Sequence, residues 1–98
     1  MLAITVRFRI KPGFERQFLE RVCVQARTSL DAEPECRQFD VCRNAQNPSE
    51  VFLYEIYSTE ADFDVHLRSA HFLAFDAATR AWIDRKDVER WERIENIE

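Results

Sequence analysis

The stretch VFLYEIY, residues Val51–Tyr57, decides the fold because it forms a strand that is apolar on both faces. Successive side chains of a strand point to opposite sides. The two sides here are alike: Val51, Leu53 and Tyr57 against Phe52, Tyr54 and Ile56. Only Glu55 interrupts the pattern. Such a strand needs cover on both sides, which favours helices on one face and a second copy of the chain on the other.

The segments before this strand alternate between strand and helix. Leu2–Ile10 alternates apolar and polar residues and predicts a first strand, which Lys11–Gly13 stops. Phe14–Leu30 places apolar residues every three or four positions, as an amphipathic helix does. Cys36–Arg43 predicts a second strand, and the polar residues Asn44–Glu50 predict a hairpin loop.

The segments after the strand predict helix and then a final strand. Ala61–Leu67 follows a helix-capping threonine, and Ser69 is placed to start a second helical segment. Asp84–Asp87 predicts a turn, and Val88–Ile94 predicts the last strand. The order β-α-β-β-α-β is the ferredoxin-like α+β arrangement, a four-stranded antiparallel sheet with both helices on one face. A length of 98 residues fits a single domain, 1–98.

Composition excludes several classes of function. A net charge of −4 and a pI near 5.2 make nucleic acid or an anionic membrane surface an unexpected partner. Gly13 is the only glycine, which excludes a glycine-rich phosphate loop. Cys23, Cys36 and Cys42 are an odd number without CxxC spacing, which favours free thiols in a reducing cytoplasm. No apolar run reaches membrane-spanning length.

Glu55 is the first candidate for chemistry, because a carboxylate on an otherwise apolar strand is expected to be buried. Burial raises the pKa of a carboxyl group, which makes a general base near neutral pH. The alternative, which is favoured from the residues alone, is a structural salt bridge to Arg7, Arg9 or Arg37 on a neighbouring strand.

His66 and His71 are the only histidines. On one continuous helix they would lie roughly 140° apart, but a helix break at Ser69 could turn both toward one cavity. Their spacing shows no third metal ligand, so acid–base chemistry is favoured over a metal site. Asp40 lies on a strand, where it either faces solvent or orients a histidine.

Aromatic side chains are expected between the sheet and the helices. They serve equally well as core or as the wall of a pocket for an aromatic ligand. The residues concerned are Phe39, Tyr57, Phe72 and Phe75.

A set of short motifs along the chain carries a family resemblance. They are Phe39-Asp40-Val41, Pro48, Tyr54-Glu55-Ile56-Tyr57, Glu60, Ala61, His66 and His71-Phe72. In this order they resemble the antibiotic biosynthesis monooxygenase family. The resemblance also takes in the first strand and first helix, and so covers almost the whole chain.

The resemblance implies a dimeric α+β barrel that acts on a small molecule without metal, flavin or haem. It implies oxidation of quinols or polycyclic phenols by dioxygen, with the substrate supplying the electrons. A related group isomerises a phosphorylated autoinducer-2 dione. Carried over residue by residue, the resemblance places Glu55, His66 and His71 in the pocket as catalytic candidates, with Asp40 and Tyr57 flanking them.

Three hypotheses follow. The first is a cofactor-independent monooxygenase of a quinol-like or phenolic substrate, in which Glu55 or His66 removes a phenolic proton. The second is an isomerase of a small phosphorylated dione, with the phosphate held by Arg7, Arg9 or Arg37. The third is a ligand-binding or dimerisation module without activity, which applies if aromatic side chains fill the cavity.

Overall fold

A computed structural model describes residues 1–95 as a four-stranded antiparallel sheet covered on one side by helices. The strands lie in the order β2-β3-β1-β4. Their bounds are β1 Leu2–Ile10, β2 Cys36–Arg43, β3 Glu50–Tyr57 and β4 Ile83–Glu92. The helices are α1 Glu15–Ala32, α2 Glu60–Arg68 and α3 Ala70–Thr79, with a 3₁₀ turn Arg80–Trp82. The ferredoxin-like α+β prediction is confirmed, with the second helix divided in two.

Strand register decides which side chains face the helices. Ile4 and Phe39 are the partners of Glu55 on the two strands that flank β3. Partnered residues share a face of the sheet, so all three side chains point toward the helices. Phe8, on the same face of β1, packs against Phe18 of α1 with ring centroids 4.8 Å apart. Glu55 therefore extends from the centre of the sheet into the apolar core.

Ser69 divides the second helix. Its backbone is extended, with φ −68° and ψ 149°, so α2 ends there. Its hydroxyl oxygen accepts a hydrogen bond from the N–H of Phe72, which caps α3, and its O–H donates to the carbonyl of His66. The two histidines therefore lie on separate helices, as the predicted break at Ser69 requires.

The prediction of a turn at Asp84–Asp87 is wrong. These charged residues lie within β4, where Lys86 pairs with Phe8 of β1. An edge strand tolerates charged residues because its side chains remain in contact with solvent. The chain reverses direction before β4, in the 3₁₀ turn Arg80–Trp82. There the carbonyl of Trp82 accepts a hydrogen bond from the N–H of Lys11. The strand predicted to run to Ile94 ends at Glu92.

The face of the sheet opposite the helices keeps apolar surface. Phe52 and Tyr54 are half-buried there, and Trp91 is 52% exposed while its indole N–H donates to the hydroxyl of Thr5. The homodimer predicted through this face remains a prediction. None of the helices within residues 1–95 has both the length and the apolar character needed to cross a membrane.

Candidate active site

A cavity of about 170 Å³ lies between the sheet and the helices. Its volume exceeds the space of about 10–15 Å³ that one water molecule needs. Most of its wall is apolar, and five polar side chains interrupt it: Gln25, Glu55, His66, Lys86 and Arg90. The cavity opens beside β4, whose cavity-lining residues Lys86, Val88 and Arg90 are exposed.

Glu55 is the buried carboxyl group of the cavity, with 3% of its surface exposed. Its Oε1 atom accepts a hydrogen bond of 2.6 Å from the hydroxyl of Tyr57. Burial raises the pKa of Glu55 to about 7, although the Tyr57 hydrogen bond and the charge of Lys86 both act to lower it. Near neutral pH, Glu55 therefore changes protonation state readily, which general base catalysis requires.

The arginines considered as partners of Glu55 lie elsewhere. Arg7 and Arg9 line a depression near Glu50 and Asp87 on the other face of the sheet. The guanidinium of Arg37 donates to the hydroxyl of Ser58, at 3.0 Å. The predicted salt bridge of Glu55 to these arginines is therefore wrong, and so is their assignment as phosphate-binding groups of the cavity.

His66 is 2% exposed and lines the cavity. Its Nδ1 atom lies 2.8 Å from Oε2 of Glu33, and Nε2 of His71 lies 2.5 Å from the same oxygen. Burial lowers the pKa of His66, while the Glu33 carboxylate partly opposes that effect. His66 is therefore neutral at neutral pH and is able to accept a proton.

Glu33, His66 and His71 also bring three possible metal-ligand atoms within 4.8 Å of one another. Ligand atoms about 2.0–2.1 Å from a tetrahedral zinc ion lie roughly 3.3 Å apart. The nitrogen–oxygen distances of 2.8 and 2.5 Å are shorter and match hydrogen bonds. Glu33 was not predicted as a member of this cluster, because it precedes His66 by 33 residues.

The predicted aromatic residues fall into two groups. Phe39, Phe72 and Phe75 line the cavity. Tyr57 is fully buried next to it and contacts Glu55 through its hydroxyl group. The ring of Trp82 does not fill the cavity, because it stacks on the ring of Phe14, with centroids 6.3 Å apart.

Besides Tyr57, two predicted site residues do not line the cavity. His71 is half-buried, does not line the wall, and reaches the site only through Glu33. Asp40 is exposed and pairs with Tyr54 on the opposite face, where its carboxylate accepts a 2.6 Å hydrogen bond from Gln38. Side chains of a strand alternate between its two faces, and that of Asp40 points away from the helices. It therefore does not orient a histidine.

Four polar residues of the site were not predicted. Gln25 is 2% exposed within the apolar stripe of α1, so its polarity at a buried position was the available signal. Lys86 was hidden by the wrong turn assignment, whereas Arg90 lies in the predicted last strand, whose register against β1 was not predicted. Glu33 follows the last residue of α1 and precedes Pro34, which favours an extended backbone and an end to the helix.

Cys36 is the buried cysteine, and its thiol lies close to Glu33 and Tyr57. Burial and the nearby Glu33 raise the pKa of its thiol to about 12. The thiol therefore stays protonated at neutral pH and does not act as a nucleophile. Cys23 and Cys42 are exposed free thiols.

Comparisons with known proteins agree with this fold. A protein from Nitrosomonas europaea, named provisionally as an antibiotic biosynthesis monooxygenase, is 24% identical, with a TM-score of 0.91 over 97% of this chain and 100% of its own. One from Bacteroides thetaiotaomicron with a similar provisional name is 18% identical, with a TM-score of 0.91 over 99% and 93%. PA3566 from Pseudomonas aeruginosa is 19% identical, with a TM-score of 0.88 over 96% and 94%. At these identities the similarity shows the fold alone.

The sequence itself identifies the family. No curated protein matches the chain significantly. The family described as antibiotic biosynthesis monooxygenase matches residues 1–78, which is most of the chain. The chain therefore belongs to the antibiotic biosynthesis monooxygenase family.

Proposed function

We propose that this protein is a cofactor-independent monooxygenase of a quinol-like or phenolic small molecule. The observation that carries the proposal is the cavity in which Glu55, with a pKa of about 7, and the neutral His66 stand among aromatic walls. A phenolic hydroxyl has a pKa near 10 in water, so a base is needed to ionise it at neutral pH. Family membership supports the same reaction class.

The proposed reaction starts when Glu55 or His66 removes the phenolic proton. The phenolate then transfers an electron to dioxygen, and the two radicals combine to form a carbon–oxygen bond. Loss of water breaks the oxygen–oxygen bond, and the removed proton leaves with that water. A quinol and dioxygen thus give a hydroxyquinone and water, with every electron supplied by the substrate.

The apolar wall has two roles in this proposal. Phe39 and Phe72 offer ring faces and edges against which an aromatic substrate packs. They also exclude water, which protects the reactive intermediates from side reactions. Tyr57 donates to Glu55 and holds its carboxyl group in one orientation.

The test is oxygen uptake with a menadiol-type quinol, followed by mass spectrometry after reaction under ¹⁸O₂. A monooxygenase places one labelled atom in the hydroxyquinone and the other in water. Hydrogen peroxide and an unlabelled quinone would instead indicate an oxidase and would contradict the proposal. A reaction without enzyme corrects for autoxidation.

A substitution at the mouth of the cavity tests whether this cavity is the site. Val88 lines the mouth and is 47% exposed, so tryptophan is accommodated there without filling the core. We expect Val88→Trp to raise KM about tenfold or more, since the indole restricts entry. Val65→Trp is the matched control, because Val65 is 53% exposed on α2 and does not line the cavity. Equal KM values for both variants would place the site elsewhere.

One observation supports the isomerase as a second candidate. Lys86 and Arg90 at the cavity mouth are cations able to hold a phosphate, although Arg90 also contacts Glu60 at 2.6 Å. Glu55 and His66 would then move a proton through an enediol. Conversion of a phosphorylated dione without oxygen uptake would favour this function over the monooxygenase. The third hypothesis, a ligand-binding or dimerisation module without activity, applied if aromatic side chains fill the cavity, and the open cavity does not meet that condition.

We also propose that the protein is a single domain, 1–98, that forms a homodimer through the apolar sheet face and works in the cytoplasm. Residues 96–98 lie outside the described part of the chain. Phe52, Tyr54 and Trp91 support the dimer, since an apolar sheet face of this kind is typical of an interface. The three free thiols support a reducing compartment.

The dimer has a direct test. Tyr54→Arg places a charge in the middle of the proposed interface, and we expect the dissociation constant to rise about 100-fold or more. Val24→Arg is the control, because Val24 is exposed on α1, away from the sheet. Sedimentation velocity over a range of concentrations measures both. A monomeric wild-type protein, or unchanged association in Tyr54→Arg, would contradict the interface.

A further inference from the structure

One carboxylate oxygen of Glu33 contacts both histidines of the chain. It lies 2.8 Å from Nδ1 of His66 and 2.5 Å from Nε2 of His71. The side chains of Glu33 and His66 are 10% and 3% exposed, so water competes little for these contacts. Three separate segments supply the groups: the end of α1, α2 and α3.

These contacts fix where the imidazole protons reside. An ionised carboxylate is only an acceptor, so both ring nitrogens that face it must carry a proton. His66 is neutral, because burial lowers its pKa, and a neutral imidazole has a single N–H. Its proton is therefore on Nδ1, and Nε2 carries an unshared electron pair. Nε2 is on the edge of the His66 ring that is remote from Glu33, and this ring lines the cavity.

We propose that Glu33 is a positioning residue that holds His66 in the Nδ1-protonated tautomer and so turns a basic Nε2 toward the cavity. The use of that nitrogen in the reaction rests on the proposed function, whereas the tautomer itself does not. Glu33 touches no atom of a substrate in this arrangement. It acts through His66, and Ser69 starts α3, the helix from which His71 reaches the same carboxylate oxygen.

Nuclear magnetic resonance of ¹⁵N-labelled histidine tests the tautomer directly, because the chain has only two histidines. Long-range ¹H–¹⁵N spectra at neutral pH distinguish protonated from unprotonated ring nitrogens. We expect Nδ1–H for His66 and Nε2–H for His71, and we expect the His66 preference to be lost in Glu33→Leu, because leucine has no atom that accepts the Nδ1 proton. Glu35→Leu is the matched control, since that carboxylate lies nearby but bonds to Arg37 and Ser58 instead.

Several results would overturn the proposal. They are Nε2–H for His66 in the wild-type protein, the same tautomer in Glu33→Leu, and loss of the Nδ1 proton when Zn²⁺ is added at equimolar concentration. If Glu33→Leu does not fold, His71→Gln replaces it. That variant keeps Glu33, so His66 should retain Nδ1–H, and a switch to Nε2–H would count against Glu33 as the residue in control.

Turnover separates this inference from the proposed function. If the quinol is oxidised, we expect kcat in Glu33→Leu to fall about 10- to 100-fold with little change in KM, as for groups that orient a reacting side chain. An unchanged kcat would refute the positioning role. A correct tautomer in a protein that does not oxidise quinols would refute the monooxygenase while leaving the assignment of the proton intact.

Discussion

Glu55→Gln is expected to lower kcat/KM for a quinol substrate by about 10²- to 10⁴-fold, the usual contribution of a general base. Glutamine has the same shape and its amide oxygen still accepts the hydrogen bond from Tyr57, so the cavity keeps its geometry. The amide cannot take up the phenolic proton. Initial rates of oxygen uptake at several quinol concentrations measure the loss.

The pH profile distinguishes a base from a merely structural carboxyl group. Only ionised Glu55 accepts a proton, so kcat/KM in the wild-type protein should rise with pH and level off above about 7, the pKa of Glu55. Glu55→Gln should lack this rise. Glu20→Gln, which alters an exposed carboxylate on α1, should behave as wild type. Wild-type rates in both Glu55→Gln and His66→Gln would disprove the assignment of these residues.

The second large effect is on stability. The pKa of Glu55 is about 7 in the folded protein and 4.5 in its unperturbed state, and one pKa unit corresponds to about 1.4 kcal/mol. The folded state therefore binds the proton of Glu55 more tightly than the unfolded state does. The stability that protonated Glu55 contributes is fully present below pH 4.5 and is lost as the pH rises to about 7. Between pH 4 and pH 8, Glu55→Gln should gain about 3 kcal/mol of unfolding free energy relative to wild type.

Urea unfolding at fixed protein concentration measures this difference at each pH. Glutamine stays neutral, so the contribution of position 55 no longer depends on pH in that variant. Glu20→Gln again serves as the control, because the side chain of Glu20 is exposed on α1 and its replacement leaves the cavity and the core unchanged. Parallel pH curves for wild type and Glu55→Gln would mean that Glu55 is hydrated in the folded protein.

Local sequence patterns predicted the elements that carry the cavity. Both strands that carry the cavity could be recognised from consecutive residues alone. Leu2–Ile10 alternates apolar and polar residues with the strand period of two, and Val51–Tyr57 is apolar on both faces. The break at Ser69 was also visible, because a capping hydroxyl acts on the next three residues. That break is what allows His66 and His71 to approach one carboxylate.

Residues that meet across long separations were not accessible to the same reasoning. The pairing of Glu55 with Phe39 and Ile4 depends on strand register, which the pattern of one strand does not determine. Glu33 reaches His66 only after α1 and α2 have packed on the sheet. In Asp84–Asp87, four charged residues concealed a strand, because pairing with β1 outweighed their low strand propensity.

The exposed edge strand β4 affects how the protein can diversify. Lys86, Val88 and Arg90 border the cavity, yet each remains in contact with solvent and contributes little to the packed core. Exposed positions tolerate substitution with small changes in folding free energy. Selection can therefore alter the shape and charge of the entrance at these three positions, and so broaden or narrow the range of accepted molecules, while the buried Glu55 and His66 stay unchanged.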